Sequence, residues 1–205
     1  MKKHTLLFII ALLFVAGCEN SYIPKPKGFL RLDLPTKKYI PFDSLSFPYS
    51  FYVPDYVSIT SDQKNPNEPY WIDLKFKPFK AILYISYKKV NKNLDVYLED
   101  SRTFVNKHIP KASAINEKQY INKNENVFGL VFNIEGSDAA SPLQFYLTDS
   151  TQHFLRAALY FDFTPNNDSL SPVIDYIKQD VNFMIESFKW KTPGTNKREL
   201  NKSGQ

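Results

Sequence analysis

The sequence predicts an α+β domain, in which a twisted antiparallel β-sheet is packed with two main α-helices. Several short segments alternate apolar and polar residues, the period of a half-buried strand, and two longer segments carry apolar residues at helical spacing. Most neighbouring strands are joined by connections of hairpin length, which force antiparallel pairing. Runs of strands separated by single helices favour this class over a parallel sheet built from βαβ units.

Three strands are predicted before the first helix. Residues 49–53 form a short strand bounded by two prolines. Residues 71–76 alternate apolar with charged side chains, and residues 77–80 interrupt this pattern before another strand at 81–87. Because the interruption is short, the last two strands are expected to pair as a hairpin.

Three more strands are predicted after the first helix, at residues 127–135, 143–148 and 153–163. The segment 148–153 (TDSTQH) joins the second of these strands to the third. Its short polar side chains are typical of a turn, so these two strands are also expected to form a hairpin.

Two amphipathic helices are predicted, at residues 93–109 and 172–188. The first ends before Pro110, because the residue preceding a proline disfavours helical backbone. The second starts at Ser171, whose hydroxyl can accept a first-turn amide, and Pro172 suits the first helical position. The order of strands, helix, strands and helix resembles the layout of the Mog1/PsbP-like sandwich.

The N-terminal residues 1–17 have the three parts of a bacterial export signal: two lysines, a short apolar run and a final small pair. Cys18, the only cysteine of the chain, follows directly, and VAGC at 15–18 is typical of a lipobox. In such a motif the thiol receives a diacylglyceryl group and the chain is cut before the cysteine. The apolar run is shorter than the ~20 residues that a membrane span requires. Since two acyl chains hold a protein stably where one does not, we expect a lasting membrane anchor.

The rest of the chain divides into a tether, one domain and a tail. Residues 18–28 contain the lipidated cysteine and two prolines, Pro24 and Pro26, that favour extended backbone. Residues 29–190 are long enough and apolar enough for a single globular α+β domain. Residues 191–205 have almost no apolar side chains and are expected to be disordered.

Composition argues against several classes of function. The net charge of +5 is spread along the chain, without a basic cluster interleaved with aromatic residues, so no nucleic-acid partner is expected. The single cysteine is used for lipid, which leaves none for a disulfide or a zinc site. The three histidines are scattered, and Glu99 and Asp100 are adjacent on a helix and diverge. Neither a metal nor a cofactor is therefore predicted.

The segment 148–153 also contains the residue types of a nucleophilic triad, in Asp149, Ser150 and His153. A polar hairpin turn accounts for them, and no G-x-S-x-G elbow accompanies them. We therefore predict no catalytic residues and no enzymatic activity.

Four basic side chains are candidates for ligand or partner contacts. On the strand that contains Leu155 and Ala157, Arg156 points to the opposite face among apolar neighbours. An arginine in such a place has either a carboxylate partner in an ion pair or an anion to recognise. His108 lies on the apolar stripe of the first helix, where a core position is the alternative, and Arg102 can belong simply to its solvated face. The candidate contacts are Arg156, His153, Arg102 and His108.

Short motifs occur in order along the mature domain. After the lipobox come PKPKG at 24–28, RLDLP at 31–35, EDSRT at 99–103, KH at 107–108, AINE at 114–117, QFYLTDSTQHFLR at 144–156, ALYF at 158–161, PN at 165–166, DSL at 168–170, PVID at 172–175 and ESFKWK at 186–191. Together these motifs resemble the gliding motility lipoprotein GldD family.

The resemblance implies a lipoprotein of the cell envelope that faces the periplasm and acts as a non-enzymatic accessory or assembly component of the gliding machinery, which is linked to type IX secretion. Its partners would be other gliding motility lipoproteins or proteins of the secretion machinery. The residues leave open an alternative, a periplasmic lipoprotein that binds a small ligand or glycan in a pocket near residues 149–156. Charging an exposed aromatic patch, for example at Trp71 or Tyr70, would impair a scaffold, whereas changing Arg156 or His153 would impair a pocket.

Overall fold

The computed structural model describes residues 34–162 and 166–191. The predicted signal at 1–17, Cys18 with the rest of the tether to residue 28, and the predicted tail from residue 192 onward lie outside the described residues. The secondary structure is, in chain order, β1 (Tyr39–Phe42), β2 (Tyr49–Pro54), β3 (Val57–Ser61), β4 (Ile72–Phe76), β5 (Ala81–Lys89), α1 (Leu94–Asn106), β6 (Ala114–Asn122), β7 (Val127–Glu135), β8 (Leu143–Thr148), β9 (His153–Phe161), α2 (Asn167–Glu186) and β10 (Lys189–Trp190).

Seven of these strands form one sheet in the order β3-β4-β5-β9-β8-β7-β6, and each neighbouring pair is antiparallel. The α+β prediction is confirmed, and so are the two predicted hairpins, β4 with β5 and β8 with β9. The pairing of β5 with β9 joins the two halves of the chain, because Leu83 lies between Leu74 on one side and Leu159 on the other. A second sheet has the order β1-β2-β10.

The two helices lie on opposite faces of the seven-stranded sheet. Leu155 of β9 belongs to the main buried cluster together with Ile177 and Met184 of α2. The next residue, Phe154, points the other way, and its ring centroid lies 5.4 Å from that of Tyr97 in α1. Since successive side chains of a strand alternate between its faces, α1 covers the face opposite to α2.

Four strands were missed by the sequence pattern: β1, β3, β6 and β10. Strands β3 and β6 are the two edges of the large sheet, and the centre of β6 is the polar run Glu117 to Gln119. Charged residues on an edge strand discourage pairing with other chains, and in β6 they weaken the apolar alternation. Strand β3 is short and has only two apolar residues, Val57 and Ile59. Strand β1 contains Pro41, which is tolerated at an edge because it donates no ladder hydrogen bond.

The boundaries of α2 differ from the prediction. The helix begins at Asn167 instead of Pro172, and the side chain of Asn166 caps it by accepting from the amide of Ser169. Asn167 is buried, and its Nδ2 donates to two backbone carbonyl oxygens of the 136–139 turn at 2.8 and 2.9 Å. These bonds hold an extra helical turn before the proline, although Pro172 itself has no amide to donate within the helix.

Candidate functional site

Arg156 lies on β9, in the middle of the sheet, on the face that α1 covers. Its Nη2 donates to Oε1 of Gln144 at 2.6 Å, and its guanidinium carbon lies 4.4 Å from the ring centroid of Phe104. Gln144 is buried, and its Nε2 has no hydrogen-bond partner within the described residues. No carboxylate of the described residues forms an ion pair with Arg156. Of the two alternatives for this arginine, the ion pair therefore finds no partner in the described part of the chain.

Arg156 lines a cavity of about 340 Å³ between α1 and strands β4, β5 and β9. The register of the sheet explains this position, because Arg156 lies opposite Ser86, two residues from Tyr84, on the same face. The cavity is lined by aromatic rings, three aspartates and two basic side chains, with Ile85, Ser86 and Ser101 between them: Trp71, Tyr84, Tyr97, Phe104, Phe154, Asp62, Asp73, Asp100, Lys88 and Arg156.

Some of the charged groups that line this cavity have protein partners and others have none within the described residues. Lys88 pairs with Glu68 and lies over the ring of Trp71. Burial lowers the pKa of the Arg156 guanidinium, which remains protonated because an arginine starts far above neutral pH. Burial, and then the neighbouring Asp62, raises the pKa of Asp73. Among the described residues, the guanidinium of Arg156 and the carboxylates of Asp73 and Asp100 therefore form no ion pair, in a mainly apolar wall.

Two other predicted contact residues lie on or next to α1. Arg102 donates from Nη1 and Nη2 to the two carboxylate oxygens of Glu117 on β6, at 2.9 and 3.3 Å. This bidentate ion pair connects α1 to the edge strand β6. His108 follows the helix, and its pKa is lowered by burial and by the positive charge of Arg156. Arg102 is therefore engaged with Glu117, whereas His108 is partly buried beyond the end of the helix.

His153 does not share a pocket with Arg156. Its Nδ1 lies 2.7 Å from the hydroxyl of Tyr87, and its ring is stacked on that of Trp190 with a centroid distance of 5.0 Å. Positions 153 and 156 differ by an odd number, so their side chains project from opposite faces of β9. Of these two candidate contact residues, Arg156 lines the cavity described above and His153 does not.

The segment between β8 and β9 is a turn, as predicted. Oδ1 of Asp149 accepts from the backbone amides of Gln152 and His153, each at 2.8 Å. Ser150 is exposed and has a positive φ of 68°. Burial alone would raise the pKa of Asp149, but the turn amides outweigh it and the pKa is lowered. The carboxylate thus organises the turn, which is the structural alternative to a triad.

We expect the stability of the protein to fall on acidification, in part through His153. Burial lowers the pKa of its imidazole, with Asp149 opposing and Lys89 adding to this shift. The unfolded chain takes up the proton at the usual pKa of about 6.5 and the folded chain only at lower pH, so stability is lost between those two values. The loss should be below about 1.4 kcal/mol for each pH unit, since the ring is only half-buried.

Urea unfolding at neutral pH and at about one unit below the usual histidine pKa would measure this loss. His153→Phe keeps a ring against Trp190 but cannot titrate, so it should lose less stability on acidification than the parent. The variant His108→Phe provides a comparison, because burial also lowers the pKa of the His108 imidazole. Equal losses in the parent and in His153→Phe would contradict the assignment.

A buried aspartate that the sequence pattern did not identify connects α2 to the N-terminal part of the domain. The carboxylate of Asp180 accepts from the hydroxyls of Tyr39, at 2.8 Å, and Tyr56, and pairs with Nζ of Lys37 at 2.9 Å. Burial, followed by the bond to Asp180, raises the pKa of both tyrosines, so they remain protonated donors. The available signal was an aspartate within the apolar stripe of the helix, three residues after Ile177.

A groove runs between α1 and the edge strand β6. At one end an apolar pocket is lined by residues that include Leu94, Leu98 and Ile121, and at the other end a second pocket includes Ile109 and Ile115. The Arg102–Glu117 pair bridges helix and strand between these pockets. We call this surface the α1–β6 groove.

The aromatic residues expected to be exposed, Trp71 and Tyr70, do not belong to such a surface. Nε1 of Trp71 donates to the carbonyl oxygen of Tyr87 at 2.8 Å, and the ring of Tyr70 packs edge-on against that of Tyr87 at 5.4 Å. Both are packed against the main core, so charging either one would disturb folding.

Within the described ranges, no group of three or more His, Cys, Asp or Glu side chains is arranged to hold a metal ion. Neither α1 nor α2, the two described α-helices, combines the length and the apolar character needed to cross a membrane.

Comparison with known proteins identifies a family for this chain. No curated protein matches it. Among solved structures, it is similar to the solution structure of cyanobacterial PsbP (CyanoP) from Synechocystis sp. PCC 6803, with 10% identity and a TM-score of 0.47 over 79% of this chain and 98% of that one. The family model described as gliding motility lipoprotein GldD matches residues 19–190. Because this match covers well over half of the chain, the chain belongs to the gliding motility lipoprotein GldD family.

Proposed function

We propose that this gliding motility lipoprotein is a non-enzymatic accessory or assembly component of the machinery. It is held in the cell envelope by lipid on Cys18, with its domain facing the periplasm. Its partners are other gliding motility lipoproteins or proteins of the type IX secretion machinery. The α1–β6 groove is the observation that favours an assembly role, and the family match over residues 19–190 supports the link to motility.

Exposure of large apolar side chains makes the groove a suitable protein-binding surface. Ile121 is 59% exposed and Ile109 is 58% exposed, one in each part of the groove. Contiguous apolar surface with a polar component is typical of sites where proteins associate. The Arg102–Glu117 pair supplies that polar component, so a partner would bury the isoleucines and meet a fixed ion pair between them.

Anchoring would strengthen a weak association at this surface. Two components held at one membrane meet at a higher effective concentration than free proteins, so a modest groove affinity becomes sufficient. The lipid on Cys18 and the groove should therefore both be needed for assembly.

Crosslinking in cells at native expression, followed by detergent extraction, purification and mass spectrometry, tests the proposal. The parent chain should recover other motility lipoproteins or secretion proteins. Cys18→Ala should leave the membrane fraction and recover much less of them. The double variant Ile109→Glu, Ile121→Glu should remain in the membrane fraction but lose the partners, because two desolvated carboxylates would oppose binding.

Leu45→Glu provides a matched control, since Leu45 is 49% exposed but does not line the groove. It should retain the partners at the level of the parent chain. Recovery of the parent protein alone would contradict the assembly role. Unchanged recovery with the Ile109 and Ile121 double variant would show that the groove is not the binding surface.

A further inference from the structure

The cavity at Arg156 contains hydrogen-bonding groups that the described protein leaves without partners. A guanidinium has five N–H donors, and Arg156 uses one of them, in its bond to Gln144. Its other near contact is the face of Phe104, which accepts no conventional hydrogen bond. Arg156 is partly buried and lines the cavity, so its remaining donors are available to an acceptor supplied by a ligand.

Carboxylates, which are hydrogen-bond acceptors, line the same cavity as the donors of Arg156. Within the described residues, the carboxylates of Asp73 and Asp100 take part in no hydrogen bond and no ion pair, although both line the cavity with Arg156. Asp73 and Arg156 lie on strands β4 and β9, which are separated by β5, and their positions are offset by two residues along the strands, so their backbones are roughly 12 Å apart. A ligand that contacted both residues would need hydrogen-bond acceptors at the end near Arg156 and donors at the end near Asp73.

The charge balance of the cavity limits the anionic end of the ligand to a single charge. Three aspartates line the cavity, and the lysine that lines it already pairs with Glu68. A doubly charged phosphate would be repelled by those carboxylates more strongly than a carboxylate group would be. One carboxylate also matches the two-pronged geometry of a single guanidinium.

The remaining wall is aromatic and suits an apolar ring face. The rings of Tyr84, Tyr97, Phe104 and Phe154, together with Trp71, surround the space of about 340 Å³. This volume is at the small end of the range for ligand pockets, so it fits one small molecule.

We propose that this cavity binds a small hydroxylated carboxylic acid of the sugar-acid class. Arg156 holds the carboxylate, hydroxyl groups donate to Asp73 and Asp100, and the C–H face of the sugar ring packs on the aromatic wall. This binding activity goes beyond the assembly role, because it uses the opposite side of α1 from the α1–β6 groove.

Isothermal titration of the lipidated full-length protein in detergent tests the proposal with four probes. D-Glucuronate should bind, whereas D-glucose lacks the carboxylate, benzoate lacks the hydroxyls and inorganic phosphate carries more charge. Each of these three should bind at least about tenfold more weakly, since one charge-assisted hydrogen bond is worth about that factor.

Variants connect the binding to the cavity. Arg156→Gln should weaken glucuronate binding at least about tenfold. Asp73→Asn should weaken it as well, and its fold should be unaffected because the carboxylate forms no hydrogen bond or ion pair within the described residues. Lys38→Gln, an exposed change outside the cavity, should bind like the parent.

Circular dichroism and the thermal unfolding midpoint report whether each variant is folded. If Arg156→Gln does not fold, glucuronate binding by Asp73→Asn tests the proposal in its place. The proposal is overturned if glucuronate does not bind up to its solubility limit, or if folded Arg156→Gln binds it as the parent does. Benzoate or phosphate binding as tightly as glucuronate would also overturn it. Partner recovery through the α1–β6 groove is measured separately, so the failure of one proposal leaves the other standing.

Discussion

Replacing Asp180 with alanine is expected to lower the free energy of unfolding by about 3–5 kcal/mol, the range for breaking one side of a buried ion pair. Asp180 is 1% exposed, and its carboxylate accepts from two tyrosine hydroxyls in addition to Lys37. Alanine would leave the ammonium of Lys37 and the hydroxyls of Tyr39 and Tyr56 without their common acceptor. Lys37 precedes β1, Tyr39 lies on β1, and Tyr56 follows β2. The substitution should therefore weaken the packing of the small sheet against α2.

Urea unfolding followed by circular dichroism would measure the loss, with Asp175→Ala as the matched control. Asp175 lies on the same helix and is exposed, so its replacement should change stability by less than about 0.5 kcal/mol. Tyr39→Phe should cost less than Asp180→Ala, because it removes one of three donors and leaves the carboxylate paired. Similar small losses for Asp180→Ala and Asp175→Ala would show that the cluster does not hold the small sheet to α2.

Phe188→Ala is expected to lower the free energy of unfolding by about 3–5 kcal/mol, as for other fully buried phenylalanines. Phe188 is 1% exposed. Its ring lies 6.0 Å from that of Tyr49, 6.3 Å from that of Phe51 and 4.7 Å from that of Trp190. Alanine would therefore open a cavity where the small sheet meets the core of the large one.

Phe183→Ala is the control for this prediction, because Phe183 lies five residues earlier and is 38% exposed. Its ring still contacts Tyr39 at 4.1 Å, so its removal should cost something, but less than half as much. The two variants can be compared by the shift in thermal unfolding midpoint. Equal shifts would contradict the assignment of Phe188 to the junction between the sheets.

Both proposed binding surfaces depend on α1 and on the face of the large sheet that it covers. The two stabilising clusters described above lie on the other face, with α2 and the small sheet. Changes at Asp180 or Phe188 should thus act through overall stability, whereas changes at Arg156 or Ile121 test the surfaces themselves. This separation allows a loss of function to be assigned to folding or to binding.

The sequence predicted well those elements whose burial leaves a regular pattern. Strands β4, β5, β7, β8 and β9 lie at the centre of the large sheet, where every second side chain enters the core, so alternation identified them. The edge strand β6 was missed because the polar run Glu117 to Gln119 interrupts that alternation, and β3 was missed because it is short and has only two apolar residues, Val57 and Ile59. The start of α2 was misplaced because Pro172 suggested a first turn, while the bonds of Asn167 to the distant 136–139 turn hold an earlier one.

By itself, the sequence determined the α+β class, the central hairpins and the family, because these depend on periodicity and on motifs that are local in the chain. It also placed Arg156 on the face opposite Leu155, since alternation along a strand needs no further information. Tertiary structure alone decided that Arg156 lines a cavity with Asp73, that His153 lies on the other face against Trp190, and that Asp180 joins Lys37, Tyr39 and Tyr56. The physical reason is that these contacts join residues far apart in the chain, and strand order and helix packing, which local patterns do not encode, bring them together.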